Sequence, residues 1–147
     1  MKRSIDKAEY ETLAAFRYLL RQFLHFSEDA AGSVGLTPQQ HQAMLSIVGF
    51  PGRDYATIAE LAERLQIRHN SAVGLVDRLE SQSLLVRTAG PDRRAVYLRL
   101  TQRGTDLLGQ LSAAHRDELR RIGPMINELL GRLAEQSGEP DADAGKA

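Results

Sequence analysis

The stretch from Thr57 to Arg103 constrains this chain most, because it reads as a helix, a tight turn, a second helix and a hairpin, and carries a net positive charge. Thr57 with Glu60 three residues on is a capping box, in which each side chain satisfies an orphan backbone donor at a helix start. A helix is therefore predicted from Ile58 to Leu65. Ile58, Leu61, Ala62 and Leu65 share one face, and after a turn near Gln66 the helical spacing resumes with Val73, Val76 and Leu79. Two short amphipathic helices thus share one small core. The second cannot also bury Arg68, His69, Asn70, Ser71 and Arg78, which are left to its N-terminal end and outer face. Next, Leu84 to Ala89 is a strand candidate, Gly90 and Pro91 are turn residues, and Ala95 to Leu100 alternates with Val96, Leu98 and Leu100 on one face.

Helix, turn, helix, hairpin in that order is a winged helix-turn-helix, so the expected fold class is mainly α with a small β-hairpin wing. The second helix is of the kind that enters a major groove. Asp92, Arg93 and Arg94 sit at the hairpin tip. They form either a solvated turn or a wing whose arginine reaches phosphates or a narrow, electronegative minor groove. Charge distribution favours the latter. The whole chain is formally neutral, yet from Arg64 to Arg103 eight arginines face three acidic residues, a net +5, and the remainder is correspondingly acidic. All eight are arginine rather than lysine, and the guanidinium fork suits bidentate phosphate or guanine contacts.

The segment Ile58 to Gly104 resembles the MarR family of bacterial transcription regulators, above all in VDRLE (Val76 to Glu80), the Asp92, Arg93, Arg94 wing and LTQRG (Leu100 to Gly104). The resemblance implies a homodimer that binds pseudo-palindromic double-stranded DNA and often releases it on meeting a small ligand or oxidant. It implies DNA contacts from Arg68, His69, Asn70, Ser71, Arg78, Arg93 and Arg94. Asn70 and Ser71 have the alternative of capping the helix. Arg68 stands where relatives commonly place a small polar cap. Asp77 is repelled by phosphates, and its place in VDRLE implies a salt bridge that braces the wing. Arg94 is the expected partner, with Arg93 free to reach the groove; the reverse assignment stays open. Gly74 and Ser83 depart from the pattern. Relatives often carry a longer polar or basic residue at the first and a helix-ending glycine at the second.

In chain order, Lys7 to Phe26 is predicted to be one amphipathic helix with Leu13, Phe16, Leu19, Leu20, Phe23 and Leu24 on its apolar side. Ser27 to Leu36 reads as a loop. Thr37, Pro38, Gln39, Gln40 then opens another helix with a capping box and an early proline, which runs through Met44, Leu45, Ile47 and Val48 to Gly49 to Gly52. After the wing, Thr101 caps a long helix that Gly123 and Pro124 are expected to break, followed by a final helix with Leu129, Leu130 and Leu133. From Ser137 onward the chain is small, polar and acidic, the composition of a disordered tail. The organisation expected is residues 1–36 and 105–136 for dimerisation, 37–104 as the DNA-binding lobe and 137–147 as tail. Dimerisation through the first and last helices comes from the family resemblance.

The sequence has no cysteine, so it offers neither disulfides nor a thiol redox switch. No apolar run approaches a membrane span and no signal segment opens it, which makes the cytoplasm the expected location. Four histidines, His25, His41, His69 and His115, lie on different predicted elements without ligand spacing, nucleophile elbow or phosphate loop. Neither a metal, a cofactor nor an enzyme is expected. An effector cleft is implied by the resemblance alone, with Arg17, Tyr18, Arg21, His41 and Met44 as lining candidates for an apolar or aromatic, optionally anionic, ligand. The competing function class is a dimerisation or protein-interaction module of the same fold that has lost operator binding. Gly74 and the neutral overall charge favour that alternative.

Overall fold

Three helix ends in this protein are closed by the same backbone device, and they determine where the elements stop. The computed structural model describes residues 3–92 and 94–136. In chain order these form α1 (Lys7–Ser33), α2 (Pro38–Val48), α3 (Ile58–Leu65), α4 (His69–Ser81), β1 (Leu85–Ala89), β2 (Val96–Leu100) and α5 (Gln102–Gln136). Helix α1 ends at Gly35, whose φ is +80°, with the Leu36 amide donating to the Ala31 carbonyl and the Gly35 amide to that of Gly32. That is a Schellman closure, with glycine in the left-handed position. The ends of α3 and α4 use the same closure with Gln66 (φ +55°) and Ser83 (φ +60°) in place of glycine. Side chains in this region cost about 1 kcal/mol or more. The core on either side overrides that cost: Ala62 and Leu61 precede one turn, Leu84 and Leu85 follow the other, and all are buried.

The expected loop over Ser27 to Leu36 is therefore mostly helix. Ala31 is fully buried and Leu36 nearly so, and that packing outweighs the low helix propensity of Gly32. The expected break at Gly123 and Pro124 is likewise absent, since α5 continues through Pro124 to Gln136. An internal proline costs about 3 kcal/mol; Ile122 and Leu129, buried on either side of it, offset that. The tail from residue 137 lies outside the described residues.

The chain divides into two compact units, one made of residues up to Phe26 and from His115, the other of Ser27–Ala114. In the first, the His115 ring meets Phe23 and Phe26 edge-on, with centroids 5.9 and 5.2 Å apart. Here Thr12 is buried and its hydroxyl donates to the Ala8 carbonyl. In the second, α2, α3 and α4 surround one core with Met44, Ile47, Leu61, Leu75, Val76 and Leu79 at its centre. Leu85 and Leu98 from the hairpin close it. The strands run antiparallel in the register Leu85↔Leu100, Arg87↔Leu98 and Ala89↔Val96. Ala56 adds a bridge on the other side of β2, exchanging backbone hydrogen bonds with Leu98.

Both predicted capping boxes form, Thr37 with Gln40 and Thr57 with Glu60. Thr101 opens α5 by accepting the Gly104 amide at 3.0 Å while its hydroxyl donates to the Ser83 carbonyl at 2.6 Å. Gly104 is required there, because any methyl group would collide with the Leu84 carbonyl. Among the described residues no helix is long and apolar enough to cross a membrane.

Candidate nucleic-acid interface

Helix α4 buries Ala72, Leu75, Val76 and Leu79 and turns its remaining face outward. Arg68, His69, Asn70, Ser71 and Arg78 are all exposed, so the core excludes the side chains expected to read DNA. Arg68 occupies the N-cap position in extended backbone, and no side chain caps the helix there. Several first-turn amides are thus without a side-chain acceptor, a geometry that favours a phosphate oxygen. Gly74 lies on the same helix with only the Arg78 guanidinium, at 4.0 Å, near the place of a missing Cβ.

The wing closes through backbone bonds. The Gly90 amide donates to the Ala95 carbonyl and the Ala95 amide to that of Asp92, both at 2.9 Å. The Asp92 carboxylate accepts the Arg94 amide at 3.3 Å, which leaves the Arg94 side chain exposed at the tip. Arg93 lies outside the described residues.

The wing brace differs from the expected one. Asp77 is engaged by Arg87, not Arg94: the Arg87 guanidinium donates to Asp77 Oδ1 at 2.6 Å and to Glu80 Oε1 at 2.8 Å. The reason is register. Leu85, Arg87 and Ala89 share the face of β1 that turns toward the core, so Arg87 emerges beside α4 while Arg94 is carried past it to the tip. The hydrogen bonds to Asp77 and Glu80 hold the Arg87 guanidinium above its ordinary pKa, against the opposing effect of burial. Sequence reasoning counted Arg87 only as charge; strand alternation from buried Leu85 was the available signal.

The arginines around the helix pair and wing differ in whether an acidic side chain holds them. Arg87 pairs with Asp77 and Glu80, Arg99 with Asp54 at 2.9 Å, and Arg53 with Glu60. Arg68, Arg78 and Arg94 form no ion pair with any described residue, and all are exposed. The α4 face and the hairpin tip thus present three arginines whose charge no described ion pair offsets, while Arg17, Arg21, Arg64, Arg103 and Arg120 are exposed on other elements.

The Glu60 carboxylate combines two duties. Burial alone raises its pKa, but hydrogen bonds from the Thr57 amide and hydroxyl, together with the Arg53 guanidinium, outweigh that and hold it below the ordinary value. The start of α3 is thereby locked to the preceding loop.

The proposed effector residues are distributed between the two units. Arg17 and Arg21, with Leu20 and Leu24, line a groove of about 80 Å³ in the first unit. Tyr18 is exposed, its hydroxyl accepting from Gln22 Nε2 at 3.1 Å. His41 and Met44 belong to the second unit and are buried. Met44 has no accessible surface and packs in the core, so it lines no cleft in this conformation. Among the described residues no cluster of histidine and acidic side chains is arranged to hold a metal ion.

Residues 34–95 match the sequence model of the MarR family, and this segment contains the helix pair and the wing tip just described. Over that segment the chain is similar to the MarR family. It is similar to the HTH-type transcriptional regulator MhqR of Bacillus subtilis, 28% identical over 106 residues that cover 71% of this chain and 66% of that protein, just under two thirds of its length. A MarR family protein from Bacillus stearothermophilus shares the fold with a TM-score of 0.72 at 18% identity, over 93% of this chain and 100% of that one. A mutant of MepR from S. aureus, bound to an oligodeoxyribonucleotide, shares it with a TM-score of 0.63 at 16% identity, over 84% of this chain and 93% of that one.

Proposed function

We propose that this chain is a homodimeric, sequence-specific DNA-binding repressor of the cytoplasm, released from a pseudo-palindromic operator by a small aromatic or anionic ligand. The observation that carries the DNA reading is the division of the arginines: Arg87, Arg99 and Arg53 are neutralised inside the fold, while Arg68, Arg78 and Arg94 are presented unpaired on α4 and the wing. The similarity of fold to a protein seen with bound oligodeoxyribonucleotide supports it.

In this reading residues 37–104 are the DNA-binding lobe. Arg68 and the free amides of the α4 first turn hold phosphates, His69, Asn70 and Ser71 meet base edges, Arg78 reaches the backbone, and Arg93 and Arg94 serve the minor groove. Residues 1–36 and 105–136 join two chains so that two α4 helices enter successive major grooves about one turn apart. A ligand releases DNA by binding better to the form whose α4 spacing does not fit the operator. Arg17, Tyr18 and Arg21 remain its candidate contacts, whereas His41, like Met44, is buried.

The test is fluorescence-anisotropy binding to the DNA upstream of the protein's own gene against a scrambled duplex, over a salt series. Preference for the upstream duplex is expected. Arg68→Ala and Arg94→Ala should each weaken binding and flatten the slope of log affinity against log salt by about 0.9 for each phosphate no longer neutralised. Equal, weak binding to both duplexes at low salt would favour the interaction module, a reading to which Gly74, which places no side chain on α4, lends support.

A further inference from the structure

The outer face of the wing carries an aromatic stack that the DNA reading does not use. Tyr97 of β2 stacks on Tyr55 with ring centroids 4.4 Å apart and planes inclined by 29°. Tyr55 belongs to the segment before α3, adjoining Ala56, whose backbone bridges to Leu98. The Arg99 guanidinium lies over the Tyr55 ring at 4.4 Å and is held by Asp54. Arg53, paired with Glu60, lies 4.9 Å from the same ring and 4.0 Å from that of Phe50. Each guanidinium is thus held in place by a carboxylate of the α3 entry while it covers an aromatic ring.

At its other end the Tyr97 ring reaches the wing tip. A methyl group at Gly90 would meet Tyr97 Cζ at 2.9 Å and Cε2 at 3.1 Å. Gly90 is where the chain leaves β1, and its amide donates to Ala95 to close the tip. The glycine therefore allows the ring to rest on the backbone of the tip itself. A flexible side chain would ordinarily swing away from an added methyl group, but here that movement would break the stack on Tyr55.

We propose that Tyr97, held between Tyr55 and Gly90, is a positioning residue that sets the wing tip for DNA without touching DNA. The strut runs from the capped start of α3, through Tyr55 and Tyr97, to Gly90 and so to the turn that presents Arg94. Its role in affinity rests on the DNA reading above; its role in ordering the tip does not. A two-stranded hairpin is marginal by itself, and Arg87 secures only the face of β1 that turns to α4. Tyr97, across from Thr88 in the register, secures the opposite face.

Two measurements test this on the full chain. The first is amide hydrogen exchange without DNA, which is independent of any operator. Tyr97→Ala should speed exchange at Gly90 and Ala95 roughly three- to tenfold, the range that removal of one aromatic pair corresponds to. The amides of α4 should keep their protection, and Tyr97→Phe, which retains the stack, should behave as the parent. Unchanged exchange at Gly90 and Ala95 in Tyr97→Ala would overturn the strut.

The second is affinity for the upstream duplex. Tyr97→Ala and Gly90→Ala should each weaken binding roughly three- to tenfold, because an untethered tip is in the binding geometry for a smaller fraction of the time. Gly90→Ala should add little in the Tyr97→Ala background, and Tyr97→Ala should cost little once Arg94→Ala has removed the group being positioned. Additive effects would assign Tyr97 a role separate from the tip and sink the proposal. A parent chain that does not prefer the duplex would instead sink the DNA reading, and the exchange result would still decide the strut.

Discussion

In the winged unit Leu61, Leu75, Val76, Leu79 and Leu98 are no more than 1% exposed, whereas on the terminal helices Leu13, Leu24, Leu119 and Leu130 stay 43–51% exposed. These side chains have the same tendency to leave water, about 25 cal/mol per Å² of apolar surface. What differs is the geometry available within one chain. Between Ser27 and Ala114 three helices and a hairpin approach from several directions and close a core. The segments up to Phe26 and from His115 offer two long helices, and a helix pair covers only part of each apolar stripe. Apolar surface left open in this way is characteristic of interaction faces, and it is the physical support for the proposed dimer.

The comparison can be broken most directly by deleting core volume. Leu79→Ala should destabilise the chain by about 3 kcal/mol, read as a lowered urea midpoint with unchanged slope. An effect as small as that of truncating an exposed leucine would show the winged unit not to be the self-sufficient part.

The converse experiment is Leu119→Glu with Leu130→Glu. Each leucine removed from a buried interface should weaken association at least tenfold or so, giving a halved mass in analytical ultracentrifugation with the helix content retained. Unaltered mass would remove the exposed stripe as the basis of the dimer.

A smaller effect is expected where burial is partial. Arg87→Ala should cost about 1 kcal/mol or less, because both carboxylates it holds are well exposed and screened by water. Its sharper signature is increased exchange at the β1 amides with the core of α4 unchanged. Were the whole unit to loosen equally, the wing would be part of the core rather than an appendage braced to it.

The smallest predicted change is electrostatic. The Glu60 pKa is depressed in the folded chain, so its contribution is fully present above the unfolded carboxylate value and is lost as pH falls through the lower folded value. Comparison with Glu60→Gln in urea titrations from pH 7 to pH 3 should show a parent advantage of about 0.5 kcal/mol near neutrality, shrinking below about pH 4.5. An advantage independent of pH would mean that the capping hydrogen bonds act without the charge.

Local signals were legible where one residue performs one local task. Thr57 and Glu60 announce α3, Thr37 and Gln40 announce α2, and the outward set Arg68, His69, Asn70, Ser71 and Arg78 follows from the apolar period of α4. Ser83 was visible as a departure from a helix-ending glycine, and its positive φ is the consequence. The stop of α1 was also written locally, in Gly35 followed by apolar Leu36, but the glycine and serine content upstream obscured it. The break assigned to Pro124 failed for a different reason. A proline removes one hydrogen bond, while Ile122 and Leu129 on either side of it are buried.

The candidate site divides along the same line. The amino-acid sequence by itself determined the order of elements from the first helix through the wing, the capping boxes of α2 and α3, the basic character of the Arg64–Arg103 stretch and the face of α4 that cannot be buried. These depend on periodicity and on interactions three or four residues apart. Only the tertiary structure decided which arginines are neutralised internally. The pairs Arg87 with Asp77, Arg99 with Asp54, and Tyr97 with Tyr55 join residues 10, 45 and 42 positions apart. Their partners are selected by strand register and by the approach of the α3 entry to the wing, because an ion pair or ring stack forms between whatever groups the packed backbone brings within a few ångströms.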